Sequence, residues 1–252
     1  MPAVVNKTAV AAAFGRAAAT YEHFAAFQRI SGDHLLTQLG DVQPRHVLDA
    51  GCGTGWFSRH WQSRGAEVLG LDLSDAMLQR ARAGNTARHY LAGDIESLPL
   101  QSGCVDLAWS NLAVQWCSSL RGGLAELYRV TRTGGHIAFT TLADGSLQEL
   151  NQAWAAVDMH RHGNRFLPDT AIQDACAGWR YQLKRHQVCQ QWPDVLSAMR
   201  SLKGIGATHL HEGRAAGVLT RKGLATLSAA WPQRDGQFLL SYQLITGVIE
   251  RD

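Results

Sequence analysis

The sequence predicts an α/β chain built on a doubly wound, largely parallel sheet. Three observations carry that prediction. Residues 47–56, V-L-D-A-G-C-G-T-G-W, read as a short buried strand, a glycine-rich turn and a helix start. From 45 to 142, apolar strand-like runs alternate with helical patterns. Polar residues (Asp49, Asp72, Asn111) stand at the carboxyl ends of successive strands, where open α/β sheets bind their ligands.

The turn narrows the ligand. Gly51, Gly53 and Gly55 let the main chain approach a bound molecule closely, and the helix that follows presents free N–H groups. A dinucleotide turn spaces its glycines G-x-G-x-x-G. Here the third glycine comes one residue early, and Trp56 stands at the dinucleotide position, where it would obstruct close helix–strand packing. Asp49, two residues before Gly51, would repel a pyrophosphate and suits a cation. S-adenosylmethionine carries an ammonium, a sulfonium and no phosphate, so the turn favours this methyl donor over NAD.

The other strand ends extend the same site. E-V-L-G-L-D-L-S reads as a second strand ending at Asp72, followed by Leu73, and Asp72 lies 21 residues after Gly51. A carboxylate there can accept both ribose hydroxyls. In A-G-D-I-E-S-L-P-L, Asp94 can take the adenine amino group while Ile95 covers the ring. V-D-L-A-W-S-N-L-A-V-Q-W reads as a fourth strand with Asn111 and Leu112 at its end, and T-G-G-H-I-A-F-T-T-L as a Gly-Gly turn into a fifth. Taken singly, each residue also fits a structural role. Asp72 can cap the next helix, Asp94 can be a solvated loop acid, and Asn111 a turn residue. Cys52 inside the turn reads as a small residue that fits.

With 252 residues, 46% of them hydrophobic, the chain can bury a full core, and a net charge of +3 demands neither nucleic acid nor membrane as partner. It has no apolar run of membrane-spanning length. Five cysteines without C-x-x-C spacing suggest reduced thiols in the cytoplasm and no metal site.

The alanine-rich start is broken by Arg16 and is too weakly apolar for a signal core. Phe14, Ala17 or Ala18, Tyr21 and Ala25 instead share one helix side, so 8–40 read as one or two helices packed over the ligand site. The core is then 45–192 with 236–252. Within it, 147–160 and 169–176 look helical and 179–192 strand-like. The segment 238–249 reads as a closing strand antiparallel to 179–192. Residues 193–235, with helices at 194–202 and 221–230, form an insertion that serves with the N-terminal helices as a lid.

As an ordered set over 45–142, these motifs resemble the class I S-adenosylmethionine-dependent methyltransferases, which implies a seven-stranded, Rossmann-like sheet. Ser110, Asn111, Leu112 and Ala113 lack the Asn/Asp-Pro-Pro-aromatic motif of amino-group methyltransferases, which argues against a nucleic-acid base as acceptor. The segments F-G-R-A-A-A-T-Y-E, G-D-I-E-S-L-P-L, S-N-L-A-V-Q-W, N-R-F-L-P and S-L-K-G-I-G-A-T-H-L-H-E-G-R resemble the malonyl-acyl-carrier-protein O-methyltransferases of biotin synthesis along nearly the whole chain. One departure is T-R-T-G-G, without the usual proline before the glycine pair.

That resemblance implies methylation of the free carboxylate of a malonyl thioester, which is ionised at neutral pH and needs no general base. Arg165 is assigned to orient the carboxylate through one oxygen, against the reading of a surface arginine stapling its turn. Tyr21 is assigned to close the pocket and donate its hydroxyl, against the reading of a core tyrosine. Lys203 and His209 are assigned to the substrate entrance, where a solvated lysine and a loop histidine are equally natural. Acyl-carrier proteins are acidic, and Arg200, Lys203, Arg214, Arg221 and Lys222, against Glu212 alone, offer a basic face to one. A quinone-precursor methyltransferase or a non-catalytic binder of the methyl donor would share the core but not the flanking segments.

Overall fold

The computed structural model describes residues 5–158, 160, 162–207 and 219–252. Its centre is a sheet in the order β3-β2-β1-β4-β5-β8-β6. These strands are β1 (His46–Ala50), β2 (Glu67–Asp72), β3 (His89–Ala92), β4 (Val105–Ser110), β5 (Thr131–Leu142), β6 (Arg180–Trp192) and β8 (Gln237–Glu250). A two-residue β7 (Gln233–Arg234) pairs with β8 beside them. β1 to β5 are mutually parallel, and β8 enters antiparallel between β5 and β6. The strand order reverses between β1 and β4, which places the ligand crevice at the carboxyl ends of those two strands.

The central strands are apolar because both faces are covered. Every residue of β4 is buried. On one face Leu48, Leu71, Leu124, Ile137 and Phe139 pack together, and on the other Leu35, Val47, Phe57, Trp61 and Trp109. β6 is the edge strand, and its exposed alternate residues explain its imperfect polar alternation.

Among the described residues, three helices lie ahead of β1 where the sequence suggests one or two. They are α1 (Lys7–Ala17), α2 (Tyr21–Phe24) and α3 (Ala26–Leu39). Asn6 caps α1 by accepting from the Ala9 N–H. Phe14 and Tyr21 therefore sit on separate helices rather than on one continuous face.

Helices α4 (Trp56–Ser63), α5 (Asp75–Ala83) and α6 (Leu120–Val130) link the parallel strands, with a short 3₁₀ turn at Val114–Trp116. α7 (Gln148–Ala155) is shorter than expected, while α8 (Asp169–Cys176) and α10 (Arg221–Ala230) match the expected bounds and α9 (Val195–Gly204) begins one residue later. The glycine pair does not form a turn before β5. The strand starts at Thr131 and carries a bulge, with Gly135 packed where a Cβ would lie 2.6 Å from the Asp106 carbonyl. The hairpin of β7 and β8 turns at Asp235–Gly236, both residues having the positive φ such a two-residue turn requires.

The insertion is bound to the core and to the N-terminal helices. Val195, Ala198, Leu227 and Trp231 pack with Leu147, Leu150, Leu240 and Tyr242. At the end of α9, a Cβ on Gly204 would lie 2.0 Å from the Phe24 ring, and one on Gly206 would lie 2.8 Å from Phe14 Cα. The G-I-G of the insertion is thus the place where it presses against α1 and α2.

Candidate active site

The glycine turn follows β1 and is tied to β2, because the N–H groups of Gly51 and Cys52 both donate to the Leu71 carbonyl, at 2.7 and 2.9 Å. Two of its glycines are steric necessities. A Cβ on Gly51 would fall 2.2 Å from Ala113 Cβ, and one on Gly55 2.0 Å from Thr86 Oγ1. Trp56 opens α4 and faces outward, 50% exposed, with the Arg29 guanidinium 4.8 Å over its ring.

Two carboxylates flank the turn. Asp49 is 2% exposed and accepts from Ser58 Oγ at 2.5 Å. Burial, reinforced by Asp72, raises its pKa to about 7. Among the described residues it has no cationic partner. Asp72 accepts from the Gly53 and Ser74 amides at 2.9 and 2.8 Å, and burial pushes it up to about 6. The helix cap is Ser74, which accepts from the Met77 N–H, so Asp72 organises the turn from beside it. A buried carboxylate with no internal cation is a seat for an external one.

Gly51, Gly53, Asp72, Leu73, Asp94, Ile95, Asn111 and Leu112 all line one cavity of about 620 Å³. Lys7, Val10 and Phe14 of α1 cover it. Asp94 is not a solvated loop acid. Lys7 Nζ reaches Asp94 Oδ1 at 3.0 Å and Glu96 Oε2 at 2.6 Å, which latches α1 across the cavity. Burial opposes the Lys7 charge, but these carboxylates outweigh it and raise its pKa. The Asn111 amide is committed inside the protein. Its Oδ1 accepts from Ser31 Oγ and Thr140 Oγ1, and its Nδ2 donates to the Gln28 carbonyl. It therefore holds α3 against the strand ends.

A second cavity, of about 790 Å³, adjoins the first. Phe14, Tyr21, Leu112 and Trp116 line this second cavity, and the same four residues belong to the wall of the first. Phe27, Leu142, Leu147, Leu150, Phe166, Leu202, Ile205 and Tyr242 make its walls apolar, and His162, Asn164 and Arg165 stand at one side. His162 stacks on Trp154 at 3.6 Å and bonds Asp158 at 3.1 Å. Burial and the nearby carboxylates of Asp72, Glu22 and Asp49 keep the Tyr21 phenol protonated well above its ordinary pKa.

Tyr21 and Arg165 both line the second cavity. Asp49 and Cys52 line a smaller adjoining chamber. Lys203 is exposed and lines none of these cavities; Leu202 and Ile205 beside it do. His209 lies outside the described residues. Sequence reasoning missed Lys7, Gln28, Trp116 and His162. Two had a nearby signal: Trp116 ends the quoted S-N-L-A-V-Q-W segment, and His162 stands three residues before Arg165.

Fold and site together define a Rossmann-like methyltransferase. The methyltransferase-domain family profile matches residues 48–139. A candidate methyltransferase from Bacillus halodurans superposes with a TM-score of 0.62 at 17% identity, covering 87% of this chain and 98% of that one. Geranyl diphosphate methyltransferase, solved in complex with S-adenosylmethionine, gives a TM-score of 0.51 at 18% identity, covering 90% of this chain and 85% of that one. The malonyl-[acyl-carrier protein] O-methyltransferase of Salmonella typhimurium is 59% identical over 251 residues, 99% of this chain and 100% of that one. The chain belongs to the malonyl-[acyl-carrier protein] O-methyltransferase family.

Proposed function

We propose that the protein transfers a methyl group from S-adenosylmethionine to the free carboxylate of a malonyl group on acyl-carrier protein. The observation that carries this reading is the shared wall of Phe14, Tyr21, Leu112 and Trp116, which joins a carboxylate-lined cavity to an apolar one with an arginine at its side. The donor residues fit. Asp49, buried, and Asp72, half-buried, are carboxylates beside the glycine turn, suited to a cationic nucleoside and its ribose hydroxyls. When bound, the donor supplies an electrophilic methyl on sulfur.

The protein's own work is positioning. The malonyl carboxylate is already ionised, so no residue need remove a proton. The Tyr21 hydroxyl and Arg165 hold one carboxylate oxygen, leaving the other directed at the methyl. Holding oxygen, methyl and sulfur in line supplies most of the acceleration, since a misplaced nucleophile loses its effective concentration. Two polar contacts on one oxygen orient the anion without quenching the other. The apolar walls exclude water. The ester product hides the terminal charge, so chain-elongating enzymes can take it as a primer towards pimeloyl in biotin synthesis.

The three N-terminal helices and the insertion act as the lid, meeting at Phe24–Gly204 and Phe14–Gly206. The outer face of the insertion bears Arg200, Lys203, Arg221 and Lys222, all exposed, and receives the acidic carrier protein. Among the described residues no helix is long and apolar enough to cross a membrane. The test is incubation with labelled S-adenosylmethionine and malonyl-, acetyl- and succinyl-loaded carrier protein. Label in a base-labile ester on the malonyl carrier alone is expected, with kcat/KM about tenfold to hundredfold lower in Tyr21→Phe and Arg165→Ala. Label on no carrier would refute the activity.

A further inference from the structure

The apolar second cavity holds a polar group that the mechanism leaves unused. The chain leaves β4 through Leu112, whose φ of 53° lies in the left-handed region that leucine rarely adopts. Its N–H donates to Thr140 Oγ1 at 2.8 Å, which holds the bend. Strained backbone of this kind gathers at ligand sites. The bend leads into the 3₁₀ turn Val114–Trp116, where Val114 is buried and Trp116 stands edge-on to Phe14 at 5.4 Å. Gln115, between them in the chain, is carried on this fixed support and lines the second cavity. It lines neither the first cavity nor the smaller chamber of Asp49 and Cys52.

Gln115 Oε1 is buried and accepts no hydrogen bond among the described residues. A buried acceptor without a donor is costly, and leucine or methionine would fill the same place without that cost. Gln28 Oε1, on α3, is a second such atom on a residue of the same cavity. The other orphaned side-chain atoms of the described residues, on Trp61, Trp109, Asn151 and Trp192, belong to residues that line none of the three cavities. The two glutamines therefore need an N–H or O–H from an occupant. A malonyl group has none at neutral pH, because its carboxylate and its thioester carbonyl only accept. What remains is the thiol arm that carries it. Carrier proteins and coenzyme A both present acyl groups on an arm with secondary amides, joined to the sulfur through a short alkyl link. A primary amide offers an acceptor and a donor, so it matches a secondary amide on both its sides. The alkyl parts of such an arm suit the apolar walls of Phe27, Leu147 and Leu202.

We propose that the second cavity reads the thiol arm as well as the malonyl group, and that Gln115 is a specificity-determining residue that accepts a hydrogen bond from an amide N–H of that arm. The inference rests on the malonyl reading above and extends it to the part of the substrate that does not react. Contact with that part holds the carboxylate where the methyl is delivered. It also separates a thioester substrate from free malonate, which presents a carboxylate without the amide. Gln28 lines the smaller chamber as well as the second cavity, so Gln115 is the residue whose loss reports on the arm alone.

Two small substrates test this: the malonyl thioester of N-acetylcysteamine, which has the amide N–H, and the malonyl thioester of acetylated mercaptoethanol, in which an ester oxygen replaces it. Methyl transfer from S-adenosylmethionine is followed for wild type and Gln115→Met, beside malonyl-coenzyme A, the malonyl carrier and the donor Kd. Wild type should have a KM about fivefold to tenfold lower for the amide than for the ester. Gln115→Met should raise the amide KM to that of the ester, with the ester KM and the donor Kd within about twofold of wild type. It should raise KM for malonyl-coenzyme A and for the malonyl carrier by the same factor, because the arm is common to both. Equal KM for amide and ester in wild type would overturn the proposal, and that comparison stands whether or not the variant folds. An amide preference that survives in Gln115→Met would also overturn it, as would an equal loss on both probes, the mark of a packing residue. Turnover of the malonyl carrier but of neither probe would overturn it too, because the carrier surface and not the arm would then be what is read. Label on no carrier and no probe would overturn the malonyl reading, and this inference with it.

Discussion

Replacing Asp49 by Asn should stabilise the ligand-free protein and cripple donor binding, and pH separates the two effects. Burial moves the carboxyl from its ordinary 3.8 to about 7. That difference costs the folded, ionised protein about 4 kcal/mol as an upper figure. The sign follows from proton binding. Between pH 3.8 and about 7 the folded chain keeps a proton that the unfolded chain has released, so the stability contributed by this group falls as pH rises and is gone above about 7. Asn carries no charge and escapes this loss while still accepting from Ser58. In urea unfolding without ligand, Asp49→Asn should therefore gain about 2 kcal/mol more at pH 8 than at pH 5.5. The donor shows the opposite. Its ammonium needs the ionised form, so wild-type affinity should rise about fifteenfold from pH 5.5 to pH 7, with Asp49→Asn weak and flat. Equal stabilisation at both pH values, together with pH-independent wild-type affinity, would refute the assignment of Asp49 as an uncompensated buried charge.

Three further outcomes follow from named contacts. Gly204→Ala drives a methyl to within 2.0 Å of the Phe24 ring. It should cost about 1–3 kcal/mol in thermal unfolding and raise KM for the malonyl carrier more than Kd for the donor. Lys7→Ala removes the latch to Asp94 and Glu96, so stopped-flow release of the donor should quicken by about fivefold, from a partly buried pair worth about 1 kcal/mol. Raising salt from about 50 to 400 mM should lower kcat/KM for malonyl-acyl-carrier protein severalfold. It should barely change the rate with a malonyl thioester of a short neutral thiol, and the same slope for both would remove the basic face of the insertion from carrier recognition.

What the sequence determined was local. The turn at 51–55, the strand ends at Asp49, Asp72 and Asn111, and the pair Asp94–Ile95 follow from short-range patterns. A buried parallel strand, a glycine turn and a helix start each leave a signature within a few residues, and doubly wound topology carries their ends to one crevice. The flanking segments carried the acceptor class through their likeness to a known family.

Tertiary structure decided which side chains meet. Lys7 reaches Asp94 from 87 residues away, and Asn111, which lines the cavity, ties its amide to Ser31, Thr140 and Gln28. Phe14 and Tyr21, on different helices, join Leu112 and Trp116 where the two large cavities meet. Gly204 and Gly206 look like loop glycines in sequence, yet they are the seats for Phe24 and for the backbone of α1. None of these contacts has a spacing to read. Each depends on packing between elements brought together by the fold, and packing energy depends on the facing surface, which a single segment does not contain.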